Sequence, residues 1–221
     1  MVGRGWFILL GAVCVLFAVS IAVPVDQGVI SGRGNQSAAI ATLRNIASAQ
    51  KQFQGRAAAD RDRDGTGEFG TFLELSGAVP LPGGKLTLDP PLLSGAFRRP
   101  LADGRVSRSG YFFRLFLATN TGTGFSGDND LMGDDSLTPG AAEGERYWCC
   151  YAWPVRHGES GEATFFVNQS GDILATDHPG YDGDRGPAPG AAFREFGLHR
   201  IVGRTAAGTT GQDGNVWRRI N

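Results

Sequence analysis

Between Arg4 and Asp26 the chain carries no charged residue, and from Trp6 to Val25 it reads WFILLGAVCVLFAVSIAVPV. No other stretch limits so strongly what the chain can become. About 20 apolar residues, rising about 1.5 Å each as a helix, match the ~30 Å hydrocarbon thickness of a bilayer. A cleaved secretory signal commonly has a shorter apolar stretch of roughly 7–15 residues that ends at a small-residue site. Ala18-Val19-Ser20 would supply such a site, so membrane anchor and cleaved signal both stand as readings. Cys14 follows the bulky Val13 inside a continuing apolar run, which disfavours a lipidated cysteine. With Arg4 on the short side, the positive-inside bias leaves the N-terminus cytoplasmic and exports the rest.

Beyond the run the chain is expected to fold. It has 221 residues, 41% of them hydrophobic and 19% charged, which is too apolar for a disordered segment. A formal net charge of -1 provides no basic field for nucleic acid, so no nucleic-acid partner is expected. Three cysteines are too few for a disulfide scaffold. The 34 glycines and 11 prolines predict long connections between regular elements.

Residues 26–36, DQGVISGRGNQ, read as a Gly-rich linker. Over residues 37–55, SAAIATLRNIASAQKQFQG, apolar Ala39, Leu43, Ile46 and Phe53 recur at helical spacing with Ile40 and Ala47 beside them. Asn35 or Ser37 can cap the start and Gly55 marks the end. Four later runs read as strands: Gly110–Ala118, Tyr147–Pro154, Ala163–Asn168 and Asp172–Thr176. The last three are spaced for an antiparallel meander. The spacing predicts an α+β domain over residues 56–177, its sheet packed on the amphipathic helix by one face and partly solvated on the other. Residues 178–221 read as a loop-rich, weakly ordered tail.

An N-terminal apolar helix, then AAIATLRNIASAQKQF, then loops and a small meander resembles a type IV pilin or pseudopilin. The blocks DRDGTGEFGTFLELSG, SRSGYFF, WCCYAWP and TFFVNQSGDILATD are also similar to a group of pilin-like bacterial proteins of planctomycete type, a likeness covering most of residues 35–177. The resemblance implies a single-pass protein of the bacterial inner membrane with its globular domain periplasmic or extracellular. It also implies other pilin-like subunits as partners, in a type II secretion or type IV pilus-type system. Gly5-Trp6 would be the processing junction, and Leu10 then stands where the family carries a glutamate.

The sharpest chemical signal is DRDRDGTGE, Asp60 to Glu68. Asp60, Asp62 and Asp64 at alternate positions, followed by Gly65, reproduce the opening of a calcium loop, because alternate carboxylates converge on one hard cation and the glycine permits the turn. The Thr66 carbonyl and Glu68 would add ligands. Thr71 stands where an EF-hand has its bidentate glutamate, so Glu74 or a carboxylate elsewhere would have to complete the shell. Arg61 and Arg63 would offset part of the charge, and a solvated turn is the competing reading. Among pilin relatives, major pseudopilins of type II secretion bind calcium in a loop, which favours calcium. A second acidic group, Asp128, Asp130, Asp134 and Asp135, and a third within Tyr181–Gly186 read as solvated loops.

Cys149 and Cys150 are adjacent in a compartment that permits disulfides, and stand as two buried thiols, as a vicinal disulfide, or as groups for intermolecular or metal chemistry. The aromatic residues Tyr147, Trp148, Tyr151 and Trp153 read as sheet and core. Ser160 beside Glu159 and near His157 is the first place to look for a nucleophile, but no G-x-S-x-G, H-E-x-x-H, P-loop or dinucleotide fingerprint occurs and no enzyme is expected. Asn35-Gln36-Ser37 and Asn168-Gln169-Ser170 match the glycosylation sequon. Two functions remain: a membrane-anchored pilin-like structural protein with a calcium-ordered loop, or a tethered or secreted module binding a peptide or glycan through the Tyr147–Trp153 aromatics.

Overall fold

A stripe of apolar residues on a helix must be covered, and the cover explains most of this architecture. The computed structural model describes residues 27–126, 139–195 and 197–220. Helix α1 runs Gln27–Gly55 and buries Gly32, Ala39, Leu43, Ile46, Ala49, Gln50 and Phe53 along one face. The segment 26–36, expected as a linker, is therefore helical from Gln27 onward. Each interior glycine costs a helix about 1 kcal/mol relative to alanine, and tertiary contacts offset that cost here. Gly32 is buried against the turn at residues 159–161, and Asn35 Nδ2 donates to Ser160 O at 3.0 Å. At the other end the backbone turns at Ala57, whose φ of 45° is left-handed, two residues beyond the glycine expected to mark the stop.

The sheet is antiparallel throughout. Its strands are β1 (Val106–Arg108), β2 (Tyr111–Ala118), β3 (Gly124–Phe125), β4 (Trp148–Pro154), β5 (Thr164–Asn168), β6 (Ile173–Thr176), β7 (Thr209–Thr210) and β8 (Val216–Ile220). They lie in the order β1-β2-β4-β5-β6-β8-β7, with β3 also paired to β2. Cys149 pairs with Asn168 and Cys150 with Val167, and Phe166 pairs with Leu174, so β4-β5-β6 form the expected meander. Short helices α2 (Phe72–Leu75) and α3 (Ala141–Gly144) sit in the connections. The fold is α+β, with helices and an antiparallel sheet sharing one body. Among the described residues no helix is long and apolar enough to cross a membrane. The run Trp6–Val25 lies outside those residues, as do Gly5 and Trp6.

Alternation along the strands divides the interior into two cores. Tyr111, Phe113, Leu115, Leu117, Cys150, Phe165 and Val167 face α1. Phe116, Cys149, Tyr151, Trp153, Phe166 and Leu174 face the opposite way, onto Tyr181, Phe193, Ile201, Ala206 and Trp217 of the C-terminal segment. The expectation of a partly solvated sheet face and a weakly ordered tail is thus corrected. The tail covers the second face and adds β8 to β6. Polar anchors hold it there. Tyr151 Oη donates to Pro189 O at 2.8 Å and accepts from Ala192 N–H at 3.0 Å, while Trp153 Nε1 donates to Gly183 O at 2.8 Å. Asp213 accepts from Tyr181 Oη at 2.5 Å and from Trp217 Nε1 at 3.2 Å.

Gln50 has no exposed surface and spends its side-chain amide on one residue. Its Nε2 donates to Gly70 O at 2.8 Å and its Oε1 accepts from Gly70 N–H at 2.9 Å. Replacing Gln50 with leucine strands both backbone groups without solvent. At about 1–3 kcal/mol for each buried unpaired group, Gln50→Leu is expected to destabilise the domain by roughly 2–4 kcal/mol. Denaturant unfolding monitored by tryptophan fluorescence measures it, and a loss below about 0.5 kcal/mol would show that the pairing contributes nothing net.

Candidate metal centre

The acidic loop is a closed bracket hung on the end of α1. Ala57 N–H donates to Gln54 O at 2.9 Å as the helix turns out, and Glu68 N–H returns to Ala59 O at 2.9 Å. Between these points the chain folds back so closely that Gly67 lies on the helix terminus: a Cβ there would stand 2.4 Å from Gln54 O. Gly65, with φ of 92°, makes the tight bend that a β-carbon would oppose.

Short side-chain-to-backbone bonds shape the interior of the bracket. Asp62 Oδ1 accepts from Asp64 N–H at 3.3 Å, Asp64 Oδ1 from Thr66 N–H at 2.7 Å, and Asp60 Oδ2 from Gly65 N–H at 3.2 Å. One carboxylate oxygen from each of Asp60, Asp62 and Asp64 lies within 4.8 Å of the others. Two oxygens bound to one calcium at 2.3–2.6 Å cannot be more than about 5 Å apart, so the spacing suits a cation of that size. Thr66 follows on the exposed side of the loop.

Glu68 is placed differently from the sequence expectation. It has no exposed surface, and its Oε1 accepts from Arg61 N–H at 2.7 Å while Oε2 stands 3.6 Å from Arg61 Nη1. Arg61 Nη2 also reaches Glu74 Oε1 at 3.0 Å. Glu74 is further occupied at the start of α2, where its Oε2 accepts from Thr71 N–H at 2.7 Å and Thr71 Oγ1 accepts from Glu74 N–H at 3.2 Å, a reciprocal cap. So Glu68 and Glu74 turn inward to Arg61, while Asp62 and Asp64 are exposed and Asp60 is half-buried, and among the described residues the three accept from loop amides, not from an arginine. Instead of offsetting the aspartates, Arg61 draws two glutamates away and leaves the aspartates to the loop.

A sixth carboxylate joins the neighbourhood from a remote segment. Phe69 N–H donates to Gly144 O at 2.9 Å and Gln54 Nε2 donates to Glu145 O at 2.5 Å, so the chain just after α3 is stitched to the loop. Burial first, then the charges of Asp64, Asp62, Glu68 and Asp60, hold the Glu145 acid above its ordinary value. Three oxygens here are shut off from solvent and receive no hydrogen bond: Asp60 Oδ1, Glu68 Oε2 and Glu145 Oε1. Nothing in the pattern AAEGER marks Glu145 as functional, because a glutamate in such a turn reads as solvated surface.

The other candidates are structural. Cys149 and Cys150 are free thiols in opposite cores, with no bond between them, and burial pushes both well above the usual thiol range. Ser160 Oγ donates to Arg156 O at 3.0 Å and accepts from Arg156 N–H at 2.9 Å, which closes its own turn and leaves His157 aside. Asp182 accepts from His157 N–H at 2.7 Å, and Asp184 pairs with Arg105 at 2.9 Å. Trp148, Tyr151 and Trp153 are buried and Tyr147 is half-buried under Arg146, so three of the four rings suggested for a peptide or glycan are interior. Asn35 bonds Ser160 O, and Asn168 Oδ1 accepts from Ser170 N–H at 3.1 Å, which commits both sequon asparagines to the fold. Asp128, Asp130, Asp134 and Asp135 lie outside the described residues.

Comparison of the chain with protein-family models, with curated proteins and with solved structures gave no match.

The raised acid at Glu145 has a stability consequence with a definite sign. A carboxyl whose folded pKa lies above its unfolded value costs stability once ionised, and that cost vanishes when pH falls below the unfolded value, about 4.5. In chelator at neutral pH, Glu145→Gln is therefore expected to raise the melting temperature slightly, since solvent screens much of the repulsion. The difference should close as pH is lowered through the raised pKa toward about 4. A variant that melts lower than wild type at pH 7 in chelator would refute the electrostatic reading.

Proposed function

We propose that the chain is an exported, membrane-anchored structural protein of the pilin or pseudopilin kind, whose loop over Asp60, Asp62 and Asp64 is ordered by calcium. The observation that carries the reading is the span of α1. It is helical from Gln27, the first described residue, which stands in sequence next to Asp26 and the charge-free run, and its second half lies in the sheet domain as a buried stripe. A long helix that enters the sheet domain by a buried stripe and follows the charge-free run in sequence suits a subunit whose globular part is mounted on an N-terminal anchor. Trp6–Val25 would hold the bilayer, and Gly5-Trp6 would be the processing junction. The inner membrane is the expected location, with the sheet domain on its outer side and other pilin-like subunits as partners in a type II secretion or type IV pilus-type system. The role in this reading is mechanical: the rings of Trp148, Tyr151 and Trp153 in β4 fill the cores, and Ser160 Oγ is spent on closing its own turn.

Mass spectrometry of the protein from its native membrane fraction tests the anchor. A mature chain starting at Trp6, with a methylated N-terminus, is the expected result; an intact Met1 or a start in the low twenties would overturn pilin-type processing. Calcium is tested by thermal unfolding of the full chain in detergent. An ion that binds only the folded state at a hundredfold excess over Kd adds about 2.7 kcal/mol, or roughly 5–10 °C for a domain of this size. Asp62→Asn with Asp64→Asn should abolish the shift, and a wild-type melting temperature unmoved by calcium would overturn the metal reading.

A further inference from the structure

We propose that the groove between the second half of α1, the entry to β4 and the β5–β6 turn is a binding site for an organic carboxylate, a single anionic head on an apolar body. The site requires neither the anchor nor the calcium reading.

The groove has a volume of about 650 Å³, the size of a small-molecule site. Segments far apart in sequence line it: Ala47 and Lys51 from α1, Glu145, Arg146 and Trp148 from the entry to β4, and Asn168 from the end of β5. Its apolar side is firm. Phe69 and Trp148 are 6% and 1% exposed, with ring centres 6.0 Å apart.

Two of the lining side chains are more than nine-tenths buried and yet leave N–H donors unused. The Trp148 ring belongs to the core, but among the described residues its Nε1–H meets no acceptor. Asn168, 4% exposed, spends only its oxygen. Its Oδ1 accepts from Ser170 N–H at 3.1 Å and from Ser170 Oγ at 2.8 Å, while Nδ2 donates to no described residue. Neither nitrogen is among the unbonded atoms sealed from solvent, and both residues line this groove. Donors held by buried side chains have a fixed direction, and a few such groups on an apolar wall are what orient a small ligand.

The charges at the rim favour the same kind of partner. Lys51 and Arg146 are exposed, and among the described residues neither pairs with a carboxylate. Arg146 is steadied instead by Tyr147, whose ring lies 5.2 Å from the guanidinium and whose Oη accepts from Nη2 at 3.3 Å. Glu145 is the one acid of the lining, so two cations stand against one anion. That surplus suits one negative charge better than the two of a phosphate. A carboxylate head would take the indole and amide N–H groups and a rim cation, leaving Phe69 and Ala47 for the apolar body. An amide N–H beside the carboxylate, as in the last residue of a peptide, would also give Glu145 a donor, which a simple organic acid lacks.

Isothermal titration into the full chain in non-ionic detergent, with chelator present, tests the site with acetyl-leucine, isocaproate and acetyl-leucinamide. The first two carry the carboxylate; isocaproate lacks the amide N–H, and acetyl-leucinamide keeps the body with a neutral head. Both carboxylates should bind and acetyl-leucinamide should not. Lys51→Gln should weaken the carboxylates at least about tenfold, the loss of one charge-assisted bond, with an unchanged melting temperature showing that it folds. Trp148→Phe, which keeps a ring and removes the N–H, should weaken them as well. Tighter binding of acetyl-leucine than of isocaproate supports a peptide end as the source, and equal binding supports a free acid. No binding of either carboxylate, equal binding of acetyl-leucinamide, or wild-type affinity in Lys51→Gln would overturn the carboxylate site and leave the anchor and calcium readings untouched.

Discussion

The paired bonds between the Gln50 amide and the Gly70 backbone set the geometry on which the rest of the molecule relies. A chain leaving α1 must come back to cover the helix, and the place where it comes back has to be fixed where water cannot help. Gln50 answers both backbone groups of one residue at 2.8 and 2.9 Å, and so defines where the return begins. Everything between Gly55 and Gly70 is then a loop of set length with its ends tied to the same helix. The acidic bracket owes its shape to that closure, and α2 begins immediately beyond it because Thr71 and Glu74 can cap each other there. Phe53, buried beside Gly70, makes the junction apolar and raises the cost of leaving either group unpaired.

The second dependence is between the sheet and the C-terminal segment. Strands β4, β5 and β6 have every residue buried, so neither face can be left to water. Helix α1 covers one face only. The other is covered by a segment with little regular structure, and such a segment must satisfy its backbone by individual bonds. The phenol of Tyr151 and the indole of Trp153 do this from beneath while filling the core with their rings. Asp213 gathers Tyr181 and Trp217 from above, and burial with that carboxylate beside it pushes the Tyr181 phenol up. Aromatic residues with a polar tip allow an irregular tail to act as a packed layer.

Much of this is legible in the chain and some is not, for reasons that individual residues show. The stripe Ala39, Leu43, Ile46 and Phe53 announces α1, and the apolar runs announce the meander, because both periods are local properties. The run WCCYAWP also lacks the polar alternation of a half-solvated strand, which is a signal of burial on both faces. The loop-like composition of residues 178–221 masks that signal, since Phe193, Ile201 and Trp217 are isolated there among glycines and charges. The extension of α1 through Gly32 and Gly34 is hidden because its support comes from residues 159–161, far away in sequence. Gln50 looks like a polar residue on a helix, and it acquires its meaning from Gly70, a partner that only the fold supplies.

Charge in the loop shows the same dependence on place. Along the sequence, arginines alternate with aspartates, an order that suggests mutual neutralisation. In space only Arg61 leaves the aspartates, whereas Arg63, at a φ of 64°, stays exposed like Asp62 and Asp64. Arg61 goes inward to Glu68 and Glu74, and the aspartates stay with the loop. The inward group resembles an ordinary partly buried ion-pair network with its charges shared, whereas the aspartate group gathers carboxylates and holds them by their own loop amides. Those amides orient the oxygens without neutralising them. A fold needing only a turn at this point would gain by replacing any of Asp60, Asp62 or Asp64 with a neutral capping residue such as asparagine or serine, which makes the same turn bonds without the repulsion. Asp60, Asp62 and Asp64 instead bring one carboxylate oxygen each within 4.8 Å of the others, and on that convergence the proposed cation site rests.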